Sequence, residues 1–225
     1  QPGVLVTTRA LYDFWGKAEV GSAPGAYHLL VYHSLDVAAV GYELLCRERI
    51  LRLRFASALG LAEEDVIRLV TLLLSWHDVG KFSDGFQNIL PELYTELTGI
   101  QSNAAYIERH DTAGYRFLSQ TSFLSRLFSR ADWRCFIVPS IILDDLFSED
   151  ILWPLLRAVC GHHGQPPREN IAALPIDTLF SEKSKTAAIN FLHETSNFLI
   201  DSPVNLVDEE SYVAKVKLIR KASWY

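Results

Sequence analysis

Apolar positions recur at three- and four-residue spacing through most of this chain, the period of helices that bury one face. From His28 to about Arg54 the repeat passes through Leu29, Leu30, His33, Asp36, Val37, Val40, Leu44 and Leu45. Arg47, Arg49, Arg52 and Arg54 fall on the opposite side, as a solvated basic face. A second helix opens on Glu63, Glu64 and Asp65, acidic residues suited to a helix N-terminus. It carries Val66, Ile67, Leu69, Val70, Leu72, Leu73 and Leu74 on to Asp78, where Gly80 suits the left-handed residue that ends a helix. Phe82 to Leu97 predicts a short helix and a turn around Pro91, and 98–106 reads as a loop. Further helices are expected near 108–119, 122–130, 150–160, 177–200 and 208–222. Residues 1–27 are expected to be irregular, broken by Pro2, Gly3, Gly16, Gly21, Pro24 and Gly25. Alternating apolar runs and hairpin dipeptides are nearly absent. The pattern predicts an all-α fold, a helical bundle forming a single domain over residues 1–225.

Composition changes this picture little. The 225 residues are 49% hydrophobic and 12% aromatic, which is globular and sufficient for a core. The formal charge of −6 advertises no nucleic-acid partner, although bound divalent cations and local basic stretches can neutralise phosphate. Cys46, Cys135 and Cys160 are odd in number and lack metal-ligand spacing, which points to a reducing cytoplasm. No apolar run is long enough to span a membrane, and a signal peptide is not expected. The absence of Met suggests a fragment or an incomplete chain.

Chemistry concentrates in the histidines. His77 and Asp78 stand side by side at the end of the second helix, whose partial negative charge favours a nearby cation. Neighbouring helical residues point about 100° apart. The pair can therefore touch one metal at the helix edge, or the carboxylate can reach across to a second. His33 has Asp36 three residues later on the same face, as when a carboxylate orients a metal-bound imidazole. His162 and His163 lie between glycines at another helix C-terminus, and His110 opens a helical stretch. Any one of these histidines alone would read as a solvated or core residue. Together they run as a single histidine, a His-Asp pair, a single histidine and a His-His pair, one cluster per helix or helix pair. Imidazole-rich sites suit Mn, Fe, Co, Ni or Zn better than Mg.

That order resembles the HD superfamily of metal-dependent phosphohydrolases. The segments Trp15-Gly16-Lys17, His28 through Ala38, His77-Asp78-Val79-Gly80-Lys81-Phe82, Phe86-Gln87 and Gly161-His162-His163-Gly164 narrow the resemblance. They are similar to the HD nuclease domain of the type I CRISPR nuclease-helicase, over residues 14 to about 165. The resemblance implies an HD-domain helical bundle with a metal site between its helices. It implies degradation of the single-stranded DNA displaced by a guide-RNA surveillance complex, with a helicase fused or separate. It also implies two divalent ions, most suitably transition metals with Mg also possible. One would be held by His33, His77 and Asp78, the other by Asp78, His110, His162 and His163. The family's last ligand, an Asp, has no match here, because the surroundings of Asp201 and Asp208 differ from its motif.

Around that set, Lys81 either approaches a substrate phosphate as a catalytic point charge or is a solvated lysine. Trp15 and Lys17 either line a strand path, the ring stacking on a base, or Trp15 is a buried structural ring. Gln87 either contacts a phosphate or caps a turn. His28 is structural or supports the ligands from behind, Asp36 supports His33, and His193 is on the surface. Two other functions compete with a nuclease: a nucleotide phosphohydrolase of the same superfamily, and a catalytically incomplete docking module.

Overall fold

The computed structural model describes residues 8–19, 26–59, 61–120, 152–168 and 174–201. Two helices set its frame. α1 (Leu30–Arg47) and α3 (Glu63–Ser75) pack against each other. Their apolar faces put Leu30, Val31, Val66, Leu69, Leu72 and Leu73 into one core. A Cβ on Gly41 would lie 2.1 Å from Cδ1 of Leu74, so the leucine side chain rests over the space that glycine leaves. The helix expected from His28 to Arg54 is two helices, because the chain leaves helical geometry at Glu48 before α2 (Arg49–Leu59). Arg52 is not part of a solvated face. Its guanidinium donates to the Leu45 and Cys46 carbonyls at 2.7 and 3.0 Å and to Glu63 at 2.7 Å. It thereby caps the end of α1 and ties it to the start of α3.

The second predicted helix stops at Ser75, short of Asp78. Trp76 is fully buried there, and its indole N–H donates to Thr195 Oγ1 at 3.0 Å. A turn then leads into a 3₁₀ segment, Val79–Phe82. Gly80 does not have the left-handed conformation expected of it; among the described residues only Gly99 and Gly164 have positive φ. What Gly80 provides is room. A Cβ there would lie 1.8 Å from the His110 carbonyl oxygen and 2.5 Å from the Gly114 nitrogen. The backbone of α6 (His110–Gln120) therefore rests directly on the turn that carries His77 and Asp78.

The remaining elements close around this contact. α4 (Asp84–Gln87) and α5 (Pro91–Thr98) follow the 3₁₀ turn, with Pro91 in the first turn of α5. Residues 99–109 carry no helix, α7 spans Leu152–Cys160, and α8 is the short Ile176–Leu179. The helix expected over 177–200 is broken at Phe180, which is extended. α9 (Glu182–Ser196) restarts behind a Ser181 cap and ends in a π turn, Asn197–Asp201. The helices expected near 122–130 and 208–222, Cys135 and Asp208 lie outside the described residues. Among the described residues no helix is long and apolar enough to cross a membrane.

The N-terminal stretch expected to be irregular holds a 3₁₀ turn, Thr8–Asp13, and a hairpin of β1 (Trp15–Ala18) antiparallel to β2 (Tyr27–Leu29). Strands of four and three residues are too short for alternation to register. The hairpin is held from outside by Gln87. That side chain is fully buried and treats Trp15 as a strand partner would: it accepts from the Trp15 backbone N–H at 3.1 Å and donates to the Trp15 carbonyl at 2.8 Å. The Trp15 indole N–H returns a bond to the Gln87 carbonyl at 3.1 Å. The clasp fixes Gly16 beside α1, where a Cβ would lie 2.8 Å from the Leu30 Cα.

Gly80→Ala should be the most disruptive glycine-to-alanine change among the described residues, because backbone atoms of His110 and Gly114 must move. We expect a loss of about 1–3 kcal/mol or more in urea unfolding, in line with overpacked cores. A change within a few tenths of a kcal/mol would contradict the close approach described.

Candidate metal centre

Five histidines from four separate places gather around one carboxylate, that of Asp78. His33 comes from the first turn of α1, and His77 and Asp78 from the turn after α3. His110 is the first residue of α6, and His162 and His163 lie in the turn after α7. Asp78 is 1% exposed, and its two oxygens face different histidines. Oδ2 lies 2.9 Å from Nε2 of His33 and 3.0 Å from Nε2 of His77. Oδ1 lies 3.4 Å from Nε2 of both His110 and His162. His110 and His163 oppose their Nε2 atoms at 2.9 Å. Two groups of donor atoms result, His33–His77–Asp78 and His110–His162–His163, each within 4.8 Å and each able to hold a metal ion.

The hydrogen bonds behind the rings decide what the front can do. His77 Nδ1 lies 2.8 Å from the Leu74 carbonyl, and His162 Nδ1 3.2 Å from the Val159 carbonyl. A carbonyl only accepts, so Nδ1 carries a proton in both, and where the ring is neutral Nε2 is left as a bare lone pair; His77 instead turns its Nε2 to Asp78 Oδ2 as a donor. Burial lowers the His162 pKa, and it pushes His110 down to about 4, against the opposing charge of Asp78 in both cases. The neutral His162 ring thus turns a lone pair toward a carboxylate oxygen, Asp78 Oδ1, that is buried and has no hydrogen-bond partner. Acceptor facing acceptor in a dry pocket is unfavourable, and a cation between them resolves it. The donor set fits a divalent metal on that ground.

The structure places the other residues singled out in the sequence differently. Lys81 is not a free charge at the mouth of the site. Its ammonium donates to Asp78 Oδ2 at 2.7 Å and to the Gly16 carbonyl at 2.9 Å, with its side chain 12% exposed. In this position it braces Asp78. Trp15 and Gln87 are buried in the clasp described above and present no surface to a strand, because their polar atoms are spent on each other. Lys17, on the same strand, is exposed. Asp36 does not orient His33: its carboxylate lies 3.6 Å from Nε2 of His28, in β2. The His33 ring has turned toward Asp78 instead. His193 is exposed, its Nδ1 paired with the Asn197 amide at 3.0 Å.

Several residues that hold the site were not visible in the sequence. Arg109 Nη1 donates to Gln165 Oε1 at 2.5 Å and pairs with the buried Asp111, and the Arg168 N–H donates to Thr112 Oγ1 at 3.3 Å. These bonds fasten the double-histidine turn to α6. Tyr106 places its hydroxyl 3.1 Å from His110 Nδ1. Their only sequence signal is proximity to a ligand histidine, which many polar residues share.

For Asp78, burial alone would raise the pKa. Hydrogen bonds from His33 and His77, with the charges of His77 and Lys81, outweigh it and hold the carboxyl well below the usual carboxylate range. The signs make acid the weak direction for the metal-free chain. Below about pH 6.5 an unfolded chain protonates His110 and His162 while the fold keeps them neutral, so stability falls toward pH 4. Below about 3.8 the unfolded chain also protonates the Asp78 carboxylate that the fold keeps ionised, a second loss. Thermal unfolding in chelator should show a midpoint that drops between pH 7 and 4, with a shallower drop in His110→Asn. A midpoint independent of pH over that interval would contradict the burial of neutral rings.

Comparison with known proteins agrees with this geometry. The family model for the Cas3 HD domain matches residues 15–224. The CRISPR-associated endonuclease/helicase Cas3 of Escherichia coli K12 is 28% identical over 159 residues, 67% of this chain and 17% of that protein. The crystal structure of a CRISPR-associated protein superposes with a TM-score of 0.64 at 24% identity, covering 90% of this chain and 21% of the other. T. fusca Cas3 with ATP gives 0.60 at 21% identity, over 84% and 20%. A CRISPR RNA-guided surveillance complex in a pre-nicking state gives 0.59 at 20% identity, over 84% and 21%. At such identities the structures speak for the fold, and this chain spans roughly a fifth of the length of the relatives it matches. With a family model matched across nearly its whole length, this helical, CRISPR-associated chain belongs to the Cas3 HD-domain family.

Proposed function

We propose that this chain is a nuclease domain that hydrolyses DNA phosphodiesters with bound divalent cations, acting in the cytoplasm on single-stranded DNA displaced during type I CRISPR interference. The observation that carries the reading is the division of Asp78, one oxygen toward His33 and His77 and the other, unpartnered, toward His110 and His162. The similar E. coli protein is named an endonuclease/helicase, and one similar structure is of a guide-RNA surveillance complex. A helicase, fused or separate, and such a complex are the partners we propose. We read residues 1–225 as one HD nuclease domain.

In this reading His33, His77 and Asp78 hold one cation, and Asp78, His110, His162 and His163 the other. Mn, Fe, Co, Ni or Zn suits the imidazole set, and Mg suits it less. Bound there, such ions lower the pKa of water and neutralise phosphodiester charge, so no dedicated protein base is required. The protein's own contribution is positional. Lys81 holds the Asp78 carboxylate in one orientation, and the Leu74 and Val159 carbonyls keep the His77 and His162 rings from turning. Exposed Lys17 offers charge to a strand's phosphates, independent of sequence. A groove of about 580 Å³ beside the double-histidine turn includes Tyr115 and Trp153 in its lining, rings on which an unpaired base can stack.

Single-stranded oligonucleotides incubated with the chain and Mn, Co or Ni should be degraded, and nucleoside phosphates left intact. Asp78→Asn and His77→Ala should each lower cleavage at least about 100-fold, since disturbing even residues behind a metal ligand costs about 10–100-fold. Unchanged cutting by a folded Asp78→Asn protein would refute the reading.

A further inference from the structure

His77 and His162 lie just past the ends of helices, and each finds a carbonyl three residues back to fix its ring. His110 begins a helix, so no helical turn stands behind it and no backbone carbonyl takes its Nδ1. A phenol stands in that place. The Tyr106 oxygen accepts from the His110 backbone N–H at 3.0 Å and lies 3.1 Å from His110 Nδ1. Phe86 packs edge-on against both rings, 6.0 Å from Tyr106 and 5.2 Å from His110, which limits their rotation. His110 Nε2 then points at Asp78 Oδ1 and at His163.

We propose that Tyr106 is the positioning residue of the second cation site: its hydroxyl accepts the Nδ1 proton of His110 and so presents Nε2 as the ligand atom. Two lone pairs on the phenol oxygen take the backbone N–H and the Nδ1–H, and the phenol's own hydrogen turns away. Among the described residues Tyr106 does not touch the first group, whose ligands are held by the Leu74 carbonyl and by Lys81 through Asp78. The effect of losing the hydroxyl is therefore confined to one of the two sites. The inference rests on the two-cation reading above but not on DNA as the substrate.

Tyr106→Phe removes the oxygen and keeps the ring. Titration calorimetry with Zn or Mn should show two binding steps in the unaltered chain. In the variant the weaker step should lose about 10–100-fold in affinity with the tighter step unchanged. The Mn EPR signal of a coupled pair should give way to that of single ions at equal loading, while the metal-free thermal midpoint stays in place. Equal weakening of both steps, an unchanged second step, or a single step in the unaltered chain would overturn the proposal. Imidazole NMR of the unaltered Zn-loaded chain tests it without any variant: His110 must carry its proton on Nδ1, and coordination through Nδ1 would overturn it. DNA cleavage enters none of these readouts. A chain that binds two ions with this pattern yet spares DNA would refute the nuclease reading and support this one.

Discussion

A carboxylate sunk to 1% exposure among imidazoles is the constraint around which this domain is built. Removing Asp78 from water is costly, and only specific partners offset it. The Lys81 ammonium and the rings of His33 and His77 answer one oxygen, and the second is left without a hydrogen bond opposite His110 and His162. A fold that maximised its own stability would not leave that oxygen bare. The bare oxygen is where binding and structure part company, as they do at functional sites generally.

The scaffold follows from holding that oxygen in place. Lys81 steadies Asp78 but must itself be steadied, and the Gly16 carbonyl does so. Gly16 stays put because Gln87 clasps Trp15 next to it, and Gln87 also donates to the Lys81 carbonyl at 2.7 Å. On the opposite side, the contact of Gly80 with the backbone of α6 brings His110 within reach of Asp78. The first donor group is thus assembled from helices packed in the core. The second depends on a turn fastened by Arg109 to Gln165 and by Arg168 to Thr112.

Much of this was legible in the sequence. His33, His77, Asp78, His110, His162 and His163 could be picked out by their order, and the structure brings all six together because each lies in the first turn of a helix or just past its end. The all-helical character was legible from periodicity alone. What failed were local readings of long-range facts. Gly80 looked like a helix terminator, but the atoms that require a glycine belong to His110 and Gly114. Asp36 sits at helical spacing from His33, yet spacing does not say which way a ring turns, and the ring turned to Asp78. For Trp15, Lys81 and Gln87 the sequence leaves a substrate contact and a structural role both open, because the hydrogen bonds that tie Gln87 and Lys81 to the hairpin join residues far apart in the chain. Tyr106 lies in chain with no period to mark it.

Anomalous diffraction from crystals of the chain soaked in Mn addresses the central claim most directly, since it locates ions without reference to activity. Two peaks are expected, one on each side of the Asp78 carboxylate, the first bordered by His33 and His77 and the second by His110, His162 and His163. A single peak that leaves Asp78 Oδ1 unliganded, or no peak at this carboxylate at saturating Mn, would contradict it.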